Sequence, residues 1–338
     1  MTPFLCTQRA LRRRAIAILV GSALVGLPIA AAGASIDEWP TIRPAIRLDA
    51  ATTAPMTAIA RAGARLVAVG DHGVVLLSDD GGRTFRQATS VPVQAMLTSV
   101  FFTDAATGVA AGHDGVVIAT SDGGESWTLR HDERGQEKPV LAVHMLSAER
   151  GLAVGLFGMA QTTEDGGRHW TPFSLGDGDE AERHLYAITR TAKGSLLIFG
   201  EAGTIFRSTD QGATWTTLRT GDKASLWAGL GLRDGTVLAS GMRGRLFRSL
   251  DDGLSWSRVE TGSVEALTGL TQGMDGEVVA VGFGGGVLVS QDDGRRFFPL
   301  AVGHPPMTAV TINREGDLVA AGIAGVAGLV TSSSGKGR

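Results

Sequence analysis

The stretch STDQGATW, Ser208 to Trp215, sets a hydroxyl, an acid, a glycine and a large aromatic within eight residues. A hydroxyl beside an acid suits a nucleophile, but Asp, Ser and Gly also dominate tight turns, because Asp and Ser bond nearby backbone and Gly tolerates positive φ. Repetition decides between the two. SDDGGRTF, TSDGGESW, TEDGGRHW, SLDDGLSW and SQDDGRRF share the pattern, with anchoring acids at Asp80, Asp122, Asp165, Asp210, Asp251 and Asp292, spaced by 42, 43, 45, 41 and 41 residues. A catalytic loop is not built six times in one chain, whereas regular self-similarity at this period marks a propeller or solenoid. The boxes are therefore structural turns, and Trp127, Trp170, Trp215 and Trp256 are expected to bury against the scaffold.

Each period carries the same internal order. In the second, LTSVFF, TGVAAG, VVIATS and WTLRH are short β-branched and aromatic runs separated by turn residues. A Gly-x-x-Gly turn separates the second and third runs and occurs seven times, from Gly70/Gly73 to Gly322/Gly325. Four short strands per period of this length predict an all-β, seven-bladed β-propeller with four-stranded antiparallel blades. The seventh unit has neither an acidic box nor a fourth strand. The run PAIRLDA, Pro44 to Ala50, resembles the fourth strands, so an N-terminal strand is expected to close the ring and cover the open edge.

Arg9 and Arg12 to Arg14 precede the apolar run Ala15 to Ala32, and Ala32-Gly33-Ala34 offers a small-residue cleavage site. A cleaved export signal is expected over residues 1–34, followed by one domain over 35–338. Within it the blades span about 42–331, and 332–338 form a tail expected to be disordered. Without residues 1–34 the chain has 27 basic against 34 acidic residues, formally −7, a balance that argues against nucleic acid. Cys6 is the single cysteine and lies in the leader, so no disulfide or thiol chemistry is expected in the mature chain.

The boxes match the Asp-box repeat. With GTIFRSTDQGATW and GRLFRSLDDGLSW as the closest segments, the chain resembles the photosystem II assembly and stability factors. That resemblance implies a seven-bladed propeller on the lumenal or periplasmic side of a membrane that helps newly made membrane subunits assemble. The degenerate seventh unit and the leader, which is like that of a non-photosynthetic bacterium, depart from the family. The expectation is thus a periplasmic, monomeric, non-enzymatic scaffold, peripheral at most to the membrane, whose partner is a membrane protein or complex.

Strand alternation places the Gly-x-x-Gly turns on one face of the ring and the boxes on the other. The turn residues vary from blade to blade, and variation on a repeated scaffold is where binding is carried. Candidate partner-binding residues are Glu201, His72, His113 and Asp114 on the turns, with Arg207, Arg243, Arg245 and Arg248 as a basic concentration on blades four and five. Arginines there would engage an acidic partner segment; the alternative is that they are solubilising edge charges. Asp71, His72, His113 and Asp114 occupy equivalent turns of adjacent blades, as a divalent metal site would require, but His and Asp are ordinary turn residues, and no metal or other cofactor is expected. Sialidases share the Asp box. As that family is known, they need three arginines, a tyrosine nucleophile and an acidic partner. Tyr186 is the only tyrosine, with Glu201 in the same blade, but it aligns with Thr57, Thr98, Trp227 and Thr268 and reads as a packing position between blades. A glycoside hydrolase, or a propeller that binds a soluble ligand, is the alternative to the scaffold.

Overall fold

The computed structural model describes residues 43–135 and 138–329. The expected leader and tail lie outside the described residues. Seven antiparallel sheets follow one another along the chain, six of them four-stranded and built from consecutive strands. The first strands, such as Met56–Ala62, Leu97–Phe102, Leu185–Arg190 and Leu226–Gly231, neighbour one another around a central channel.

The second strands show why these residues form blades. RLVAVG, GVAAG, LLIFG and their counterparts are almost entirely buried along their length. A strand covered on both faces reads as a continuous apolar run rather than an alternating one. The core is divided among the blade interfaces: one buried cluster joins blades one and two around Val67, Leu77 and Ile118, and another joins four and five around Leu197, Phe199 and Phe247. Each box tryptophan packs toward the preceding blade, Trp127 against blade one and Trp256 against blade four.

The boxes are local hydrogen-bond devices. In the first, the Ser78 hydroxyl donates to Asp80 Oδ1 at 2.8 Å and accepts the Gly82 amide at 2.8 Å, while Thr84 donates its amide and hydroxyl to Asp80 at 2.9 and 2.6 Å. Ser208, Asp210, Gly212 and Thr214 repeat the pattern in the stretch quoted above, and the Trp215 indole donates to the Gly212 carbonyl at 3.0 Å. The Thr84 hydroxyl and amide, with Ser78, hold the Asp80 carboxyl at about 2, against an ordinary 3.8. Thr214 does the same for Asp210, and Arg296 leads for Asp292. A carboxylate depressed on folding stabilises the native state above its unfolded pKa, and that contribution disappears as the pH falls through the folded value. Unfolding free energy should therefore be level above about pH 5 and fall between about pH 4 and 2. Urea titrations across that range check this, and a stability unchanged down to pH 2 would contradict it.

Closure of the ring corrects one expectation. Among the described residues blade seven has three strands, Met307–Ile312, Leu318–Gly322 and Gly325–Leu329, and Pro44–Ala50 is not its fourth. That segment lies against blade one instead. The Ala45 amide bonds the Val91 carbonyl at 2.9 Å, the Ile46 amide bonds the His72 carbonyl at 3.3 Å, and Gln87 and Gln94 donate to the Ile46 and Pro44 carbonyls at 2.6 and 2.9 Å. These backbone groups are already satisfied, and it is the following 3₁₀ turn Ala51–Thr53 that adjoins blade seven, its Thr52 carbonyl abutting Gly325. The join between blades seven and one is made by packing of Val319, Ala321 and Val326 against Met56, Leu66 and Leu76. Two hydrogen bonds tie it, Thr308 Oγ1 to the Met56 carbonyl at 2.9 Å and Asn313 Nδ2 to the Gly81 carbonyl at 2.8 Å.

Candidate functional site

The Thr308 bond is one of a series. Thr57, Thr98, Thr268 and Thr308 hold the same place in the first strand of blades one, two, six and seven, and each hydroxyl reaches the first strand of the next blade at the carbonyl of Leu97, Val140, Met307 or Met56. Blades three, four and five carry Leu141, Tyr186 and Trp227 there, so three consecutive interfaces lack this tie. Rings occupy the position in blades four and five and extend to both sides.

Phe157 of blade three meets His184 edge-on at 4.8 Å between ring centres; His184 meets Tyr186 at 6.4 Å, Tyr186 meets Trp227 at 6.4 Å, and Trp227 meets Phe283 of blade six at 5.7 Å. Phe157 and Phe283 stand on Gly-x-x-Gly turns and remain 62% and 45% exposed, and Met242 on the intervening blade-five turn is also exposed. The row therefore borders the turn-end mouth of the channel, which has a volume of about 490 Å³ and is lined in part by Tyr186 and Trp227.

Polar groups fix the row. The Phe157 amide donates to His184 Nδ1 at 2.9 Å, a bond that requires the nitrogen to be unprotonated. The His184 amide donates to Glu201 Oε2 at 3.0 Å. Burial, and then the Glu201 charge, push the Tyr186 phenol above its ordinary value. Deeper in the channel, His144 lies 4.5 Å from the Phe101 ring and is pushed down to about 4 by burial and the Arg190 charge, so it is neutral near pH 7. Glu201 thus lies near enough to Tyr186 for its charge to favour the protonated phenol rather than a phenolate.

The basic concentration separates. Arg243 is exposed on the blade-five turn at φ 58, and Arg245 is half-buried and bonds Asp222 through Nε at 2.7 Å. Arg207 and Arg248 lie at the box end as ties between blades. Arg207 ion-pairs with Asp252 and donates through Nε to the Asp252 carbonyl at 2.7 Å, and Arg248, 8% exposed, donates to the Asp293 carbonyl at 2.9 Å and to Thr236 at 3.2 Å. They are scaffold members, not free binding groups. His72 pairs with Asp71 of its own turn at 2.9 Å, and His113 and Asp114 are exposed on the next. Among the described residues no three His, Cys, Asp or Glu side chains gather to hold a metal.

Sequence reasoning missed the aromatic row as a unit, although its signal was visible: three consecutive departures from a repeated threonine. It also missed Asp252, whose signal was an acid at the box position that is glycine in the first three boxes.

The fold is that of a seven-bladed repeat propeller, and its turn end departs from the repeat where the aromatic row stands in place of the threonine ties. The family model for photosynthesis system II assembly factor YCF48 matches residues 86–295, and the chain belongs to that family. Among solved structures, YCF48 bound to D1 peptide is 19% identical, covers 84% of this chain and 95% of its own, and superposes with a TM-score of 0.66. YCF48 from Cyanidioschyzon merolae is 17% identical over 84% and 97%, with a TM-score of 0.65. A streptogramin B lyase reaches a TM-score of 0.69 at 14% identity over 84% and 96%. At such identities these likenesses establish the fold alone. A comparison with curated proteins finds no match.

Proposed function

We propose that this chain is an exported, non-enzymatic scaffold that holds a segment of a membrane protein or complex at the turn end of its ring. The carrying observation is the aromatic row: three consecutive interfaces forgo the threonine tie, and rings at the turn-end mouth take the place of two of them. Local departures from scaffold rules concentrate at functional sites. Family membership supports a protein partner, and the related YCF48 ring holds a D1 peptide. The arginine-led apolar run at the N-terminus supports export to the periplasm. A raised Tyr186 pKa disfavours a tyrosine nucleophile, so no turnover is expected across a panel of chromogenic glycosides.

Affinity capture from crosslinked membranes tests the reading. It should return a reproducible membrane partner, and capture of none would favour a soluble ligand. Arg243 is the one arginine of the expected four that stands exposed on the turn face, so Arg243→Glu should lower capture several-fold with an unchanged melting temperature. Exposed charge contributes about 0–1 kcal/mol to stability, yet its reversal turns attraction for an acidic segment into repulsion. Arg295→Glu, in the blade-six box on the opposite face, serves as the control. Loss of capture in the control alone would place the working face at the box end.

A further inference from the structure

The aromatic row and Glu201 together define a chemistry more specific than an apolar mouth. The rings meet at interplanar angles of 88°, 89°, 67° and 65°, so no neighbouring pair stacks face to face and consumes both faces. An aromatic face carries negative potential and attracts a cation brought within about 6 Å of the ring centre. Glu201 adds a formal charge beside them. Its Oε2 accepts the His184 amide, which leaves acceptor capacity, and among the described residues it forms no ion pair. His184 supplies no counter-charge, because its Nδ1 accepts the Phe157 amide. A carboxylate left without an ion pair near Tyr186, with Trp227 and Phe283 next along the row, is complementary to a basic group.

We infer that the turn-end mouth, formed by Tyr186, Trp227, Phe283 and Glu201, receives an arginine side chain from the partner segment. This rests on the protein-binding reading above and specifies what that segment carries. Arginine suits the site better than lysine, since its planar guanidinium stacks on aromatic rings and pairs with a carboxylate through two parallel hydrogen bonds. The channel below, at about 490 Å³, gives the side chain room to enter. Arg243 on the neighbouring turn is then free to meet an acidic residue elsewhere on the same segment.

The test needs no native partner. The acetylated, amidated tripeptide Ala-Arg-Ala is titrated into the full chain, with counterparts bearing citrulline, leucine or glutamate at the centre, while the Trp227 indole N–H is followed by NMR and assigned by its loss in Trp227→Phe. The arginine peptide should shift that resonance and bind about tenfold more tightly than the citrulline peptide. Glu201→Gln, which retains an acceptor for the His184 amide, should reduce the arginine peptide to the citrulline level and leave the rest of the spectrum folded. Equal or tighter binding of the leucine peptide would overturn the inference and make the mouth an apolar pocket. No Trp227 response at millimolar peptide would overturn it as well. Either result, alongside intact capture from membranes, removes this inference alone, whereas peptide binding without any membrane capture removes the scaffold reading alone.

Discussion

Asp252→Ala should lower the stability of the ring by about 3–5 kcal/mol, because it removes the buried member of an ion pair between blades four and five and leaves a partly buried arginine unpaired. Asp252 is 5% exposed and accepts hydrogen bonds from Thr191 at 2.5 Å and Ser195 at 2.6 Å as well as the Arg207 ion pair. Burial works to raise its pKa, but Ser195, Thr191 and Arg207 outweigh it and bring the carboxyl below its ordinary value, so the group is ionised and fully partnered. Its removal leaves a guanidinium and two hydroxyls with unmet bonds. The backbone adds a smaller cost, since Asp252 sits at φ 63, which Asp and Asn tolerate better than Ala. Asp252→Asn should therefore cost less than Ala, and Arg207→Leu should recover part of the loss when combined with Asp252→Ala. Urea unfolding of the two single variants and the double variant measures the coupling as a cycle. Additive losses would show that the pair is not a unit. The location matters because blades four and five also lack the threonine tie at the turn end, so the box-end pair holds an interface that the aromatic mouth leaves without that hydrogen bond.

Trp127→Ala is expected to cost about 3–5 kcal/mol, the usual penalty for truncating a buried tryptophan. The ring is 3% exposed, sits in the cluster that joins blades one and two, meets Phe102 edge-on at 6.2 Å, and donates its indole N–H to the Gly124 carbonyl at 2.9 Å. Truncation opens a cavity between blades and leaves that carbonyl without its donor. Trp215→Ala should cost less, since Trp215 is only half-buried, although it stacks on Phe173 with ring centres 6.0 Å apart. Chemical unfolding of both variants decides the order, and a larger loss for Trp215 would mean that box tryptophans contribute through something other than burial. Partner capture by folded Trp127→Ala should match the parent chain, because the box lies on the face away from the mouth.

The sequence by itself determined the propeller, its boxes and its two unlike faces. Those features rest on hydrogen bonds between residues two to four positions apart, such as Ser208 to Asp210 and Asp210 to Thr214, so the spacing of residue types carries them directly. The buried second strands were equally legible, since a run covered on both sides must be apolar throughout. Tertiary structure alone decided which arginines are free: Arg207 and Arg248 find partners 45 residues away in the next blade, while Arg243 does not. It also decided that Pro44–Ala50 lies along blade one, because hydrogen bonds from Gln87, Gln94 and the Ala45 and Ile46 amides hold it there. The aromatic row belongs to the same class. Its members come from four blades and meet only when the ring closes, because the distance between turns of neighbouring blades is set by blade packing and not by separation along the chain.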